Sequence, residues 1–440
     1  MTIIKSLFRH FIVVTLRLEA ILILRRYRPK IVAITGSVGK TSAKDAIALA
    51  LRATNIVRES PKSYNSEIGV PLTIIGVPNA WHNPLNWSKN ILHGLRLIIF
   101  RTPYPEWLIL EIGADRVGDI RSLGRWLNPD IAVLTSLPSV PVHIEFFPSP
   151  EALFVEKGSL LSSVKKGGTI IINEDDERVR ATVDKLISHK KLEEIKIIRI
   201  GWNKSTDIRA DHDHLIQDES GKPNGLVCKI DYAGHTLPLR LANLYGSHQL
   251  YAVLAGLAVG ITAGGKILTI TQALESYAPP PGRGCLIEGI KGTWILDDSY
   301  NASPAAMEAA LETLKNFPGG GRKIAVLGDM LELGTYTIDA HREVGKTAAK
   351  ICDLVITVGV RAKFISEGAG EAGFDSKKLF HFDDAREAGQ ALDKLLTLGD
   401  IVLVKGSQAV RLEWTVEEIM LHPEQKESLL ARQEPAWQKR

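Results

Sequence analysis

Over residues 1–30 the apolar side chains recur at helical spacing. Ile3, Ile4, Leu7, Phe11, Val14, Leu18, Ile21 and Leu22 fall near one stripe, with Lys5, Arg9, Arg25, Arg26 and Arg28 towards the ends. That pattern predicts a single basic amphipathic helix. Two uses of it are open: docking on the first domain, or lying at an anionic lipid surface, since an apolar face with basic flanks serves both. The run Phe11–Leu24 is broken by Arg17 and Glu19 and falls short of the roughly 20 apolar residues of a spanning helix. No small-residue cleavage site of the secretory kind follows it.

From Ile31 the pattern changes to short β-branched runs separated by helical stretches: Ile31–Thr35, Leu108–Ile112, Ile131–Thr135, Thr169–Asn173 and Ile197–Ile200. Strands alternating with helices imply an α/β fold with a mostly parallel sheet covered on both faces. The Pro-rich break Ala278-Pro279-Pro280-Pro281-Gly282 marks a boundary. Beyond it the alternation resumes with Thr293–Leu296, Ile324–Leu327, Leu354–Val358 and Ile401–Val404. The expected organisation is an N-terminal helix (1–30), a central parallel-sheet domain (31–280), a smaller Rossmann-like α/β domain (281–422) and a charged tail (423–440). Within the central domain, residues 77–106 mix Trp81, Trp87 and aliphatics with Lys89, His93, Arg96 and Arg101. A helical hairpin packed over the core is expected there, and the same mixture suits a bilayer headgroup region.

Composition narrows the function classes. Of 440 residues 45% are hydrophobic, and Lys+Arg 54 nearly balances Asp+Glu 50, so no global field argues for nucleic acid. Cys228, Cys285 and Cys352 are far apart with no CxxC pair, which points away from disulfide frameworks and zinc ribbons and towards the cytoplasm.

The chemistry starts right after the first strand, at Thr35-Gly36-Ser37-Val38-Gly39-Lys40-Thr41-Ser42. Glycines let backbone amides curl around phosphate, the following helix adds its positive N-terminus, Lys40 neutralises charge and the Thr41 hydroxyl can hold Mg²⁺. Gly36, Ser37, Gly39, Lys40, Thr41 and Ser42 are therefore the expected ATP site, which makes the central domain a P-loop ATPase domain. Ile34 stands where the general P-loop pattern has its first glycine.

This TGSxGKT form resembles the Mur ligases, the ATP-dependent amide-forming enzymes of peptidoglycan synthesis. Further segments match their D-alanyl-D-alanine-adding branch in order: Ser63–Leu72, Leu110-Glu111-Ile112-Gly113, Asp130–Thr135, His143-Ile144-Glu145, Pro281-Gly282-Arg283, Leu296–Pro304, Val326–Gly334 with His341, and Leu403–Ser407 with Arg411. The resemblance implies roles. Glu111 would complete the Mg²⁺ shell begun by Thr41. Lys157, 14 positions after His143, would be carbamylated and hold a second Mg²⁺ with it. His248 and Gln249 would cup adenine, although Ala252 replaces an expected Asn. Arg283 would reach phosphate, Asp298 the ribose, with Tyr300 and Asn301 beside it, while Asn65, Ser66, Lys405 and Ser407 would serve the substrates. Members of this branch carry an N-terminal uridine-nucleotide domain, and the chain is expected to lack it, so recognition of a UDP-linked sugar is the least transferable property.

The expectation is a monomeric ATP-dependent ligase that adds D-alanyl-D-alanine to a muramoyl-tripeptide through an acyl phosphate. It would work in the cytoplasm or peripherally on the inner face of the plasma membrane, without nucleic acid. Three alternatives stay open: a Mur-type ligase adding another amine to a lipid-linked muropeptide or other carboxylate, a non-catalytic nucleotide-binding membrane scaffold, and a kinase-like phosphotransferase.

Overall fold

The computed structural model describes residues 2–61, 64–81, 83–189, 192, 194–219, 221–434 and 437, and of residues 2–6 only the backbone. Ser63 of the substrate-side segment and the side chains of Ile3, Ile4 and Lys5 thus lie outside the described residues.

Two sheets organise the chain. The first runs β2(Val57–Glu59)-β3(Trp107–Glu111)-β1(Lys30–Thr35)-β4(Ile131–Leu134)-β5(Thr169–Asn173)-β6(Lys196–Gly201)-β7(Ile208–Gln217)-β8(Pro223–Tyr232)-β9(His235–Leu241). It is parallel from β2 to β7 and antiparallel through β7, β8 and β9. The second runs β10(Cys285–Gly289)-β11(Thr293–Asp298)-β15(Ile401–Lys405)-β12(Lys323–Gly328)-β13(Leu354–Val358)-β14(Leu379–Phe382), with only the β10–β11 pair antiparallel. Central strands such as β1, β3 and β4 are apolar and buried on both faces, as a helix-covered parallel sheet requires. The parallel α/β architecture matches the expectation. The β7–β9 meander was not foreseen: it alternates polar and apolar residues and lies at the sheet edge, where one face meets solvent.

Helices begin where a short polar cap precedes a proline. Asn83 before Pro84, Ser149 before Pro150 and Ser303 before Pro304 each accept hydrogen bonds from first-turn amides, and the proline takes the position whose N–H has no helical partner. These caps start α4 (Pro84–Ile99), α6 (Pro150–Gly158) and the helix Pro304–Asn316. The other helices needed below are α1 (Thr2–Tyr27), α2 (Lys40–Arg52), α3 (Gly69–Ile75) and α5 (Asp119–Leu127).

The N-terminal helix does not dock through the expected stripe. Ile12, Leu16, Ala20 and Ile23 are the residues it buries against α3 and α4, whereas Leu7, Phe11, Val14, Leu18 and Leu22 face solvent. Residues 77–106 hold the single long helix α4 rather than a hairpin, packed beside α1. Where the two helices meet, the Glu19 carboxylate lies against Gly94, 4% exposed and with both oxygens lacking a hydrogen-bond partner among the described residues.

Burial raises the Glu19 carboxyl from its usual 4.5 to about 7. The folded chain thus holds this proton more tightly than the unfolded chain does, so the associated stability is full below about 4.5 and is lost as pH rises through about 7. Glu19→Gln should remove that loss and raise stability at pH 8 by on the order of 1–3 kcal/mol. Urea unfolding at pH 5 and 8 checks it: a variant as pH-sensitive as the parent would contradict the assignment.

The charged tail also needs correction. Leu430, Ala431 and Arg432 are 3%, 5% and 5% exposed, and Leu430 joins the core of the second sheet.

Candidate functional site

The phosphate loop leaves β1 and enters α2, with Gly36 (φ 143°) and Gly39 (φ 83°) in backbone regions that favour glycine. At Gly36 space is also closed, since a Cβ would lie 2.0 Å from Thr135 Oγ1. That hydroxyl donates to Val38 O at 2.6 Å and Ser37 N donates to Ser136 O at 2.8 Å, so the end of β4 braces the loop. Thr135 was part of a matched segment without a role. Its signal in the sequence was its place at the end of the strand next to β1.

Strand register brings in the acid. Ile34 pairs with Glu111 across β1 and β3, which sets the carboxylate beside the first turn of α2. Thr41 Oγ1 donates to Glu111 Oε2 at 2.9 Å and Asn65 Nδ2 donates to Glu111 Oε1 at 3.1 Å. Glu111 is 2% exposed. Thr41, Glu111 and the partly buried Asn65 are oxygen-bearing groups in one cluster, a donor set of the kind a hard cation takes, and the buried Ser37 hydroxyl of the same phosphate loop has no partner among the described residues. No group of three His, Cys, Asp or Glu able to hold a metal occurs among the described residues. A Mg²⁺ here would therefore draw further ligands from ATP.

Two lysines converge on one carbonyl. Lys40 Nζ and Lys157 Nζ each donate to Gly36 O at 2.9 Å. Lys157 is 1% exposed, and its ammonium is pushed well below its usual value by burial first and then by Lys40. Its neighbour Glu156 is engaged elsewhere, accepting from Ile120 N and Arg121 N at the start of α5. Lys40 is lowered too, by burial foremost.

The second half of the chain closes over the loop. Arg283 Nη2 donates to Thr41 Oγ1 at 3.3 Å and its guanidinium lies 4.3 Å from the Tyr300 ring centre. Lys405 and Asp298 pair in register across β11 and β15, with Lys405 Nζ donating to Asp298 Oδ2 at 2.6 Å and to Asn301 O at 3.0 Å. Ser407 Oγ accepts from Leu331 N at 3.0 Å. His341, wholly buried, donates from Nδ1 to Thr337 O and accepts at Nε2 from Met330 N. It acts as a neutral brace for that turn, and its burial lowers its basicity.

Several expected roles meet a different geometry. His143, paired with Lys157 on spacing, lies instead against the second domain, its Nδ1 2.6 Å from Glu332 Oε2. This contact holds the Glu332 carboxyl below its usual value. The amide of Gln249, expected at adenine, is consumed by backbone: Oε1 accepts from Tyr245 N and Gly246 N, and Nε2 donates to Arg283 O at 2.9 Å. His248 is exposed beside it and Ser66 Oγ accepts from Gly69 N at the start of α3.

One element was missed altogether. Arg432 donates to both oxygens of Glu413 and to the carbonyls of Ser299 and Tyr300, and Arg411 Nε donates to Glu413 Oε1 at 2.6 Å. Tyr300 thus lies within cation–π reach of both Arg283 and Arg432. Nothing local in the sequence announces a contact spanning 133 positions.

Known proteins share both domains of this chain. The Mur ligase middle domain matches residues 34–260 and the Mur ligase glutamate ligase domain matches residues 282–408. UDP-N-acetylmuramoyl-tripeptide–D-alanyl-D-alanine ligase of Bacillus subtilis is 28% identical over 396 residues, covering 90% of this chain and 76% of that protein. The protein of the same name from Mycobacterium bovis is 30% identical over 402 residues, covering 87% and 71%. Among solved structures, the MurF ligase from Thermotoga maritima in complex with ADP superposes with a TM-score of 0.75 at 28% identity, covering 92% of this chain and 83% of that one. Folylpolyglutamate synthase of Mycobacterium tuberculosis, at 12% identity and a TM-score of 0.64, shares the fold. With both domain matches in order and the P-loop braced as described, the chain belongs to the Mur ligase family of ATP-dependent ligases.

Proposed function

We propose that this chain joins D-alanyl-D-alanine to a muramoyl-tripeptide at the expense of ATP, in peptidoglycan precursor synthesis. The observation that carries the reading is the reach of Arg283 from the second domain to Thr41 on the phosphate loop, because ligation needs groups from both halves at one phosphoryl group. An oxygen of the acceptor carboxylate attacks the γ-phosphorus and the bond to ADP breaks, giving an acyl phosphate. The dipeptide amine then attacks the acyl carbon, loses a proton and expels phosphate, leaving the amide. Lys40, Arg283 and the first amides of α2 face the charge that develops on the transferring group. Mg²⁺, held by Thr41 and Glu111 with ATP oxygens, would screen the phosphate charge.

Lys157 suits carbamylation. Burial disfavours the ammonium form of this amine and so favours the neutral form, which is the one that adds CO₂; the carbamate would put a negative charge beside Lys40. Activity should therefore depend on bicarbonate, and Lys157→Ala should lower it by about 10²-fold. Full activity in CO₂-depleted buffer would overturn this role.

The overall reading is tested by phosphate release from Mg-ATP with D-alanyl-D-alanine and UDP-muramoyl-tripeptide. Release that needs both is expected; no release with this acceptor or with its lipid-linked counterpart would overturn it. A second reading, a lipid-linked acceptor used from the membrane surface, is favoured by the outward apolar stripe of α1 and predicts release with the lipid-linked substrate alone.

A further inference from the structure

Twenty-three large apolar side chains are exposed among the described residues, and twelve of them belong to α1 or to residues 81–100. On α1 the exposed set is Phe8 and a stripe of Leu7, Phe11, Val14, Leu18 and Leu22, the stripe spaced by four, three, four and four positions. On α4 it is Leu85, Leu92, Leu95 and Ile99, again at helical spacing. Both helices have already used a separate face for the core: Ile12, Leu16, Ala20 and Ile23 on one, Trp87, Leu97 and Gly94 on the other. The outer stripes are thus surplus to folding. The two helices pack side by side and end together, with Tyr27 donating to Leu97 O and Arg26 to Ile99 O.

Charge says what covers them. Residues 1–30 hold seven Lys/Arg and residues 77–106 three, against two acids, the buried Glu19 and Glu106. Subtracting these ten and two from 54 and 50 leaves 44 bases and 48 acids elsewhere. A nearly neutral protein therefore concentrates its positive charge on its most apolar surface. A second copy of the same face would meet that charge with like charge, whereas an anionic bilayer meets both the apolar stripe and the bases.

The helix ends supply further sites for headgroups. Two clefts of about 540 and 420 Å³ open on either side of Arg28. One is lined by Arg28, Lys30 and Arg101 with Glu106, the other by Arg25, Arg125 and Lys165 with Asp130, so bases outnumber acids in each.

We propose that the α1–α4 face docks this protein on an anionic lipid bilayer. The placement has a use. Arg9 on α1 pairs with Glu67 at 3.1 Å, and Glu67 lies two positions after Asn65, which donates to Glu111. Helix α1, roughly 39 Å long at 1.5 Å per residue, thus runs from the basic clefts to the expected substrate loop, and a lipid-carried acceptor would arrive along it. The proposal deepens the lipid-linked reading of the acceptor and rests on it for that use; vesicle binding itself requires neither ATP nor acceptor, so the two fail separately.

The test is co-sedimentation of the full chain with phosphatidylcholine vesicles, alone or with about 30 mol% phosphatidylglycerol, between about 0.05 and 0.5 M salt. The protein should pellet with the anionic vesicles at low salt. Phe11→Ser/Leu18→Ser/Leu92→Ser and, separately, Arg25→Glu/Arg101→Glu should each reduce the bound fraction about tenfold or more, with unchanged unfolding midpoints and unchanged turnover of a soluble acceptor where one is used. Parent protein that stays in the supernatant, or variants that bind as well as the parent, would overturn the proposal. So would a parent dimer that the apolar variant dissociates, since a second copy would then cover the face.

Discussion

Lys40→Ala should lower amide formation by about 10³-fold or more while leaving the fold intact, equivalent to roughly 4 kcal/mol of lost transition-state stabilisation. The side chain is half-buried and makes no ion pair among the described residues; its Nζ donates to Gly36 O and, more weakly, to Ser37 O. Its loss therefore costs the fold little, whereas the phosphates lose a point charge held at the mouth of the loop. Lys40→Arg should not restore activity, because a planar guanidinium presents its charge differently from a compact ammonium. Phosphate release and nucleotide affinity, measured with thermal unfolding as the control, check it. A Lys40→Ala protein of full activity would favour a non-catalytic nucleotide-binding role.

Arg432→Ala should be the most destabilising single change in the second domain. Arg432 and Glu413 have side chains 2% and 0% exposed, and breaking a buried ion pair from one side costs about 3–5 kcal/mol. The carbonyls of Ser299 and Tyr300 lose their donor at the same time. A fall of about 10 °C in the unfolding midpoint is expected, together with a higher KM for ATP, since these carbonyls belong to the segment that carries Asp298 and Asn301. Lysine cannot replace the guanidinium, which uses Nε, Nη1 and Nη2 at once. An unchanged midpoint and KM would show that the contact is incidental.

What could be read before folding was what local sequence encodes. The buried strands are mostly apolar, the phosphate loop is a contiguous segment, and Glu111 ends a strand that the fold pairs with β1. What could not be read depends on distant partners. The family resemblance implies His143 beside Lys157, yet the fold sets His143 against Glu332. Gln249 has the chemistry to meet adenine, but backbone amides reach it first. The Arg432–Glu413–Arg411 cluster was invisible because the tail's charge suggested solvent. On α1 the stripe was found and its direction was not: the helix has apolar residues on two faces, and periodicity alone cannot say which one turns inward.

The position of Arg283 has a mechanical consequence. It lies at the very start of the second domain, next to the Pro-rich break, between Gly282 (φ 75°) and Gly284 (φ 76°), with its carbonyl held by Gln249. In any swing of one half against the other, groups near the pivot travel least and groups at the end of the lever arm travel furthest. In such a swing Arg283, near the pivot, would keep its reach to Thr41, whereas Lys405 and Ser407 would travel further. Such a lever predicts an order of binding, ATP first and the second substrate last, which product-inhibition kinetics would read.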